Sequence, residues 1–164
     1  MKTLLLLRHA KSSWKDNDAD DHERSLNKRG KNDAPRMGRL LTEEGLLPDL
    51  MFVSSAKRCR KTAEYVIQES GYRGETRITG ELYEASAGKL RSFLAQIADD
   101  IGRMLIVGHN PGLEELLGSL VGNPVALTTA ALAHVELPLE HWYDLRDDTR
   151  AELKRLWQPR ELED

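Results

Sequence analysis

Two arginines and two histidines in this sequence are of the types needed to bind and attack a phosphoryl group. Arg8 and His9 directly follow a run of four leucines, and Arg58 and His109 come shortly after two further apolar segments. Arginine presents a planar fork of N–H donors that matches phosphate oxygens in pairs. Neutral histidine has a free lone pair near pH 7 and is a competent nucleophile toward phosphorus. Together, the four residues predict a cationic pocket for a tetrahedral dianion.

In-line attack by His9 on phosphorus would form a phosphohistidine, which water then hydrolyses. The arginines and His109 would hold the equatorial oxygens while charge redistributes. Each residue also has an ordinary alternative, because a histidine after a strand is usually a hydrogen-bonded loop residue and an arginine on a helix is usually solvated. The joint occurrence of all four favours the catalytic interpretation.

The elements that must position these residues alternate between strands and helices. Short apolar runs without alternation are typical of strands buried on both faces. The pattern predicts a three-layer α/β/α sandwich with a mostly parallel central sheet and an antiparallel edge strand. The predicted strands are 3–7, 50–53, 78–83, 104–107, 132–137 and 151–157, and the predicted helices are 28–44, 56–69, 89–99 and 112–120. Sites in such sheets lie at the carboxyl ends of the strands, where the four residues fall.

Local signals mark the helix starts. Asn27 is expected to cap the first helix, in which Pro35 either makes a kink or lies in the first turn of a helix that starts near Asp33. Ser55 is expected to cap the second helix. Helix starts at Ser55 and Asn110 would add backbone donors and positive dipole ends to the pocket.

Length and composition exclude several classes of protein. The 164 residues predict one domain over 1–160 and a short acidic tail over 161–164. The single cysteine excludes an intramolecular disulfide and suits a reducing cytoplasm, and no signal peptide or membrane span is expected. The formal net charge of −3 argues against a nucleic-acid partner. We therefore expect a cytoplasmic protein that binds neither nucleic acid nor membrane.

The spacing of residues argues against a cysteine phosphatase and against a calcium-binding loop. A cysteine phosphatase needs an arginine six positions after its cysteine, but Tyr65 occupies that position after Cys59. The acidic segment 16–23 has alternating carboxylates like a calcium loop, but Asp21 stands where the loop needs glycine and Asn27 where it needs glutamate. Asp16, Asp18 and Asp20 are therefore expected to lie in a solvated loop, with weak adventitious metal binding as the alternative, and no dedicated metal site is expected.

Four segments resemble the motifs of the histidine phosphatase superfamily. RHAKSSW at 8–14 is similar to the pattern Arg-His-Gly-Glu-Thr-x-Trp, with Lys11 in place of Glu and Ser12 in place of Thr. ERSLNKRG resembles the segment with a polar cap before Gly, SSAKRCRKTAE the second-arginine segment, and VGHNPGLEEL the second-histidine segment. Within the superfamily, the short chain and the sequences of the RHAKSSW and GHNPGLEEL motifs look most like those of the small bacterial phosphohistidine phosphatases. The resemblance implies a phosphoglycerate mutase-like fold.

The resemblance also implies roles for particular residues. His9 would be the nucleophile, and Arg8, Arg58 and His109 would form the phosphate pocket without a metal or other cofactor. Arg24 matches an arginine near the pocket of the short members, so it is a candidate substrate contact. Ser12 is a second candidate substrate contact.

Larger relatives protonate an alkoxide leaving group with an acid after the third strand. In LYEASAG this acid would be Glu84, with Glu81 nearby, and the alternative is that Glu84 is a solvated loop residue. Imidazole leaves more readily than an alkoxide, so Glu84 should matter more for phosphate esters.

Large relatives also insert a cap over the pocket, and this chain is too short for one. An open pocket suits a phosphate on the surface of another protein. The sequence therefore predicts a phosphohistidine phosphatase that acts on a signalling or phosphotransfer protein and releases inorganic phosphate. The alternatives are a phosphatase of small phosphate esters that uses Glu84 as general acid, and a non-catalytic phosphate-binding regulator.

Overall fold

A computed structural model describes residues 1–15 and 20–162, whose six strands form one sheet in the order β3-β2-β4-β1-β5-β6. Strands β1 to β4 are mutually parallel where they pair, β5 runs antiparallel to β1, and the edge strand β6 runs antiparallel to β5. The sheet therefore confirms the predicted mostly parallel arrangement with antiparallel pairing at one edge. The strands are β1 Lys2–Arg8, β2 Leu50–Ser54, β3 Glu75–Thr79, β4 Arg103–Gly108, β5 Leu132–Leu137 and β6 Glu152–Trp157.

Two pairs of helices cover the two faces of the sheet. The helices are α1 Lys28–Glu43, α2 Lys57–Ser70, α3 Ala87–Leu94 and α4 Gly112–Val121. Successive leucines of β1 point to opposite faces. Leu5 and Leu7 pack in the core with α1 and α2, whereas Leu4 and Leu6 pack with α3 and α4. The three-layer α/β/α architecture is thereby confirmed, and it explains why β1 is apolar at consecutive positions.

The cap of α1 follows the prediction. The Asn27 side chain accepts a hydrogen bond from the Gly30 backbone N–H at 2.9 Å. The helix begins at Lys28 and continues through Pro35, so the alternative start near Asp33 is wrong. Proline lacks the N–H that would bond one turn back, so α1 loses one helical hydrogen bond there.

Three local predictions differ from the structure. Ser55 does not cap α2, because the N-cap residue is Ala56 and the Ser55 hydroxyl instead bonds His22 Nε2 at 2.8 Å. The third strand begins three residues and ends four residues earlier than predicted, since this edge strand is polar and its Ile78 is 59% exposed. The helix predicted at 89–99 is α3, which begins at Ala87 behind its Ser86 cap and ends at Leu94.

Two glycines allow close backbone approaches that shape the pocket edge. A Cβ on Gly112, at the start of α4, would lie 2.0 Å from the Ala85 carbonyl oxygen. A Cβ on Gly30 would lie 2.2 Å from the Lys11 carbonyl oxygen. Both separations are far below van der Waals contact, so each position requires glycine. The loops that carry Lys11 and Ala85 are thus packed directly against helix starts.

Part of the polar loop before α1 and the last residues of the tail are outside the described residues. Asp16 and Asp18 of the acidic segment belong to the first group, and residues 163–164 to the second. Leu162, just before them, packs against the core under α1. None of the helices over the described ranges is long and apolar enough to cross a bilayer.

Candidate active site

The site lies where β1, β2 and β4 end side by side. Arg8 is in register with Gly108, and the His9 backbone N–H donates to the Gly108 carbonyl at 3.0 Å. His9 and His109 therefore follow adjacent strands, and their ring centroids are 5.4 Å apart. The parallel topology brings together residues that are separated by 100 positions in the chain.

A pocket of about 640 Å³ opens at this edge of the sheet. All seven candidate site residues from the sequence line it, together with residues of the loops around them. Glu81 instead lies in a separate groove beside Phe52 and Phe93, so of the two candidate acids only Glu84 is at the pocket. The seven are Arg8, His9, Ser12, Arg24, Arg58, Glu84 and His109.

His9 is held with one ring nitrogen free for chemistry. Its side chain is 7% exposed, and Nδ1 lies 2.8 Å from the Ala10 carbonyl oxygen. A carbonyl only accepts hydrogen bonds, so Nδ1 carries the proton and Nε2 keeps its lone pair. Burial lowers the pKa of His9 to about 3, and the neighbouring His109 and Arg58 contribute to this. The ring is thus neutral near pH 7, with Nε2 as the basic atom.

His109 is fixed on both sides of its ring. Arg58 Nη2 donates to Nδ1 at 3.3 Å, and Nε2 lies 2.7 Å from the Ser54 hydroxyl oxygen. Because Nδ1 accepts, Nε2 carries the proton of the neutral ring and donates to Ser54. Burial, followed by the charge of Arg58, lowers the pKa of His109 to about 4. A bound dianion would oppose both effects and favour the imidazolium.

The two pocket arginines are anchored by backbone carbonyls. Arg8 Nη1 donates to Leu127 O at 2.9 Å, and Arg58 Nη1 donates to Asp21 O at 2.7 Å. Arg58 is 5% exposed and Arg8 is half-buried. Their positive charges therefore face the pocket in an environment of reduced dielectric, where they attract an anion more strongly than in water.

Arg24 and Ser12 form one rim of the pocket. Arg24 Nη1 donates to the Ser12 hydroxyl oxygen at 2.7 Å, and the guanidinium lies 3.7 Å from the ring centroid of Trp14. The Trp14 ring is 70% exposed, so it is not a core residue. This cation–π contact and the hydrogen bond to Ser12 hold the Arg24 guanidinium at the pocket.

Glu84, which also lines the pocket, has an unusual backbone conformation. Its φ angle is +55°, in the left-handed region that non-glycine residues rarely adopt. Its side chain is exposed, and its neighbour Ala85 packs against Gly112 of α4. The tight packing of this loop holds Glu84 in that conformation and places it at the pocket.

Sequence reasoning missed Asp21 and Tyr83. Asp21 Oδ2 accepts from the Tyr83 hydroxyl at 2.6 Å and from Arg58 Nη2 at 3.1 Å, while Oδ1 accepts from Arg24 Nε at 3.1 Å. The Tyr83 hydrogen bond, aided by Arg58, lowers the pKa of Asp21 to about 2. No spacing signal could have found this cluster, because Asp21 and Arg24 come from one segment, Tyr83 from a distant loop and Arg58 from α2.

Cys59 lies next to His109 but is not reactive. It is fully buried, its sulfur is 3.5 Å from His109 Nε2, and burial raises its pKa to about 12. A protonated thiol is a poor nucleophile, in agreement with the spacing argument against cysteine chemistry. Over residues 1–15 and 20–162, no three His, Cys, Asp or Glu side chains are arranged to hold a metal ion.

The titration of the two pocket histidines is testable. We expect His9 and His109 to protonate near pH 3 and pH 4 in the anion-free protein, well below 6.5. The folded state then binds fewer protons than the unfolded state below pH 6.5. Their contribution to stability is therefore complete above pH 6.5 and is lost as the pH falls toward the folded values. Imidazole NMR titration measures this, with His9→Gln for assignment, and a midpoint near 6.5 for either ring would contradict it.

Comparison with known proteins identifies a family. The family model of the histidine phosphatase superfamily (branch 1) matches residues 4–104. An uncharacterized chloroplastic protein of Arabidopsis thaliana is 33% identical over 150 residues, which are 86% of this chain and 69% of that protein. The range matched by the family model includes Arg8, His9 and Arg58, whereas His109 lies beyond it.

Solved structures share the fold along almost the whole chain. A SixA protein of Agrobacterium tumefaciens, provisionally described as a phosphohistidine phosphatase, is 26% identical with a TM-score of 0.83, over 96% of this chain and 98% of that one. A protein histidine phosphatase SixA complexed with tungstate is 20% identical, also with a TM-score of 0.83, over 98% and 99% of the two chains.

Proposed function

Because the chain belongs to the histidine phosphatase superfamily, we propose that it is a phosphatase that removes phosphate from histidine on a protein. The reaction proceeds through a covalent phosphohistidine on His9. The observation that carries this proposal is the hydrogen bond from His9 Nδ1 to the Ala10 carbonyl, because it leaves Nε2 as a buried, unprotonated nucleophile. The likeness to SixA structures supports the choice of phosphohistidine as the substrate class.

The first half of the reaction transfers the phosphoryl group. His9 Nε2 attacks phosphorus, and the bond between phosphorus and the substrate imidazole breaks in line with the attack. When the other nitrogen of the substrate ring is protonated, cleavage of the P–N bond releases neutral imidazole, which needs no strong acid. Arg8 and Arg58 donate to the equatorial oxygens, and His109 becomes a further donor once the dianion favours its imidazolium.

The second half consumes water. A water molecule attacks phosphorus from the side that the leaving imidazole has vacated. The P–N bond to His9 breaks, its electron pair returns to Nε2, and inorganic phosphate leaves. No metal is assigned a step in this scheme, since the arginines and His109 supply the positive charge that the transferring group needs.

The mouth of the pocket supports a protein substrate. Between β1 and α1, the only helix or strand among the described residues is the single helical turn Asp21–Glu23, and Asp21 lines the pocket. The exposed Trp14 and Glu84 both line the pocket and are available to a surface that presents a phosphorylated side chain. We place such a partner in cytoplasmic signalling or phosphotransfer, in keeping with the composition.

A trapping experiment tests the proposal. The protein is incubated with a ³²P-labelled phosphoramidate, with and without a chelator, and then quenched. We expect an adduct that is labile to acid and stable to alkali, in equal amounts with the chelator present. An acid-stable adduct would contradict a phosphohistidine, and the absence of any adduct together with tight phosphate binding would favour a non-catalytic phosphate-binding regulator.

The position of Glu84 at the pocket supports a second candidate function, hydrolysis of small phosphate esters. An alkoxide leaving group needs a proton, and Glu84 is the carboxylic acid that the third strand and its loop bring to the rim. If esters are substrates, we expect Glu84→Gln to lower their kcat by about 10²-fold to 10⁴-fold. Phosphoramidate turnover should change less than about threefold, because imidazole leaves without that acid.

The matched control for this prediction is Glu81→Gln. Glu81 is exposed, lies three positions away and faces a different groove, so its replacement removes the same charge without touching the pocket. Equal loss of ester and phosphoramidate turnover in Glu84→Gln would show that Glu84 is not a general acid for esters.

A further inference from the structure

An internal carboxylate lies against the cations of the phosphate pocket. Asp21 contacts Arg58 twice, through Oδ2 at 3.1 Å and through its backbone oxygen at 2.7 Å. Its other carboxylate oxygen accepts from Arg24 at 3.1 Å. Asp21 therefore binds both an arginine of the predicted phosphate pocket and an arginine of its rim.

The hydrogen bonds of Arg58 set up a competition. Nη2 carries two hydrogens, and these point to Asp21 Oδ2 and to His109 Nδ1. A phosphoryl oxygen that binds Nη2 must therefore take the hydrogen directed at Asp21 or the one directed at His109. Asp21 and the phosphoryl group are both anions, so they also repel each other across the shared guanidinium.

The carboxylate is kept in place and charged. The Tyr83 hydroxyl donates to Oδ2 at 2.6 Å, and the Tyr83 ring packs edge-on against His109 with centroids 5.5 Å apart. The Asp21 side chain is 46% exposed, so water can stabilise it when Arg58 turns to a ligand. These contacts hold a permanent negative charge beside the cations without burying it.

We infer that Asp21 is an internal counter-ion that competes with phosphate for Arg58 and so limits how tightly the pocket holds its product. The inference rests on the proposed function only in that the pocket takes a phosphoryl group. Asp21 is a positioning residue here, because it acts through the guanidinium and not on the reacting atoms. Its effect is to weaken binding of the free dianion, so that inorganic phosphate leaves.

The test measures binding of inorganic phosphate to the intact protein by calorimetry at pH 8, where phosphate is mostly a dianion. Asp21→Asn removes the charge but keeps a side chain of the same shape. We expect it to bind phosphate about tenfold more tightly than the unaltered protein, because one repulsive charge is gone. The difference should shrink in high salt, since the repulsion is screened.

Two further variants separate charge from geometry. Asp20→Asn removes the same charge one position away, where the exposed side chain makes no cap hydrogen bond, and should leave phosphate affinity unchanged. Tyr83→Phe removes the hydrogen bond to Asp21 and keeps the charge, so a change below about threefold is expected. Asp21→Ser should tighten binding in the same direction as Asp21→Asn.

The outcomes distinguish this inference from the proposed function. Weaker or unchanged phosphate binding in both Asp21→Asn and Asp21→Ser would overturn the inference, because Asp21 would then support the pocket instead of competing with phosphate. Equal tightening in Tyr83→Phe and Asp21→Asn would also overturn it, since charge would not be the cause. No phosphate binding by the unaltered protein would instead count against the proposed function.

Discussion

Replacement of His9 by alanine is expected to abolish the phosphoenzyme and to lower kcat by about 10⁴-fold or more. The reason is that Nε2 of His9 forms the bond to phosphorus. Without it, the two easier steps of phosphoryl transfer and hydrolysis are replaced by one difficult step, the direct attack of water on the substrate. The adduct is measured by trapping with an alkaline quench, which preserves phosphohistidine, and kcat by release of phosphate from a small phosphoramidate.

The control for this prediction is His141→Ala. His141 follows β5 at the opposite end of the sheet, where it contacts Asp99 and stacks on Tyr143, so its loss should leave turnover unchanged. Because His9 is buried, the free energy of unfolding of His9→Ala must also be measured, and near-normal stability shows that the loss is chemical. An adduct that persists in folded His9→Ala would place the nucleophile elsewhere.

Replacement of Arg58 is expected to have the second largest effect. Arg58→Ala should lower kcat/KM by about 10³-fold, because the transition state loses a charged donor in a site of reduced dielectric. Arg58→Lys should recover only a small part of this loss, since an ammonium group lacks the planar fork that contacts Asp21 and His109 and matches pairs of phosphoryl oxygens. Both values come from initial rates at substrate concentrations below KM.

A surface arginine gives the matched control for Arg58. Arg77 lies on the exposed edge strand β3 and pairs with Glu75 at 2.7 Å, so Arg77→Ala removes the same side chain far from the phosphate pocket. Its kcat/KM should stay within about twofold of the unaltered protein. Near-normal activity of Arg58→Lys would mean that charge alone matters at this position and that the fork does not.

The sequence was enough to find the central pocket residues because strand ends are visible in it. Apolar runs without alternation identify buried parallel strands, and the carboxyl ends of such strands share one edge of the sheet. Arg8, His9 and His109 come directly after two of these runs. Arg58 required one further step, the recognition of a helix that starts after the run at 50–53.

The weaker elements were misplaced for a physical reason. The edge strand β3 is polar and exposed, so its apolar residues carried little information about its bounds. The start of α2 depended on a cap, and serine hydroxyls also bond partners that are distant in sequence. Ser54 binds His109 and Ser55 binds His22, so neither fills the role predicted for Ser55.

The sequence by itself determined the three-layer fold and the identity of the four central pocket residues, because hydrophobic periodicity and chemical type are local properties of the chain. Only the tertiary structure decided which nitrogen of His9 is free, which of the two acids reaches the pocket, and that Asp21 and Tyr83 join it. Hydrogen bonds between side chains depend on separations of a few tenths of an ångström between distant segments. Such separations are set by how loops pack on the finished sheet, for example where Gly112 meets Ala85, and no spacing along the chain encodes them.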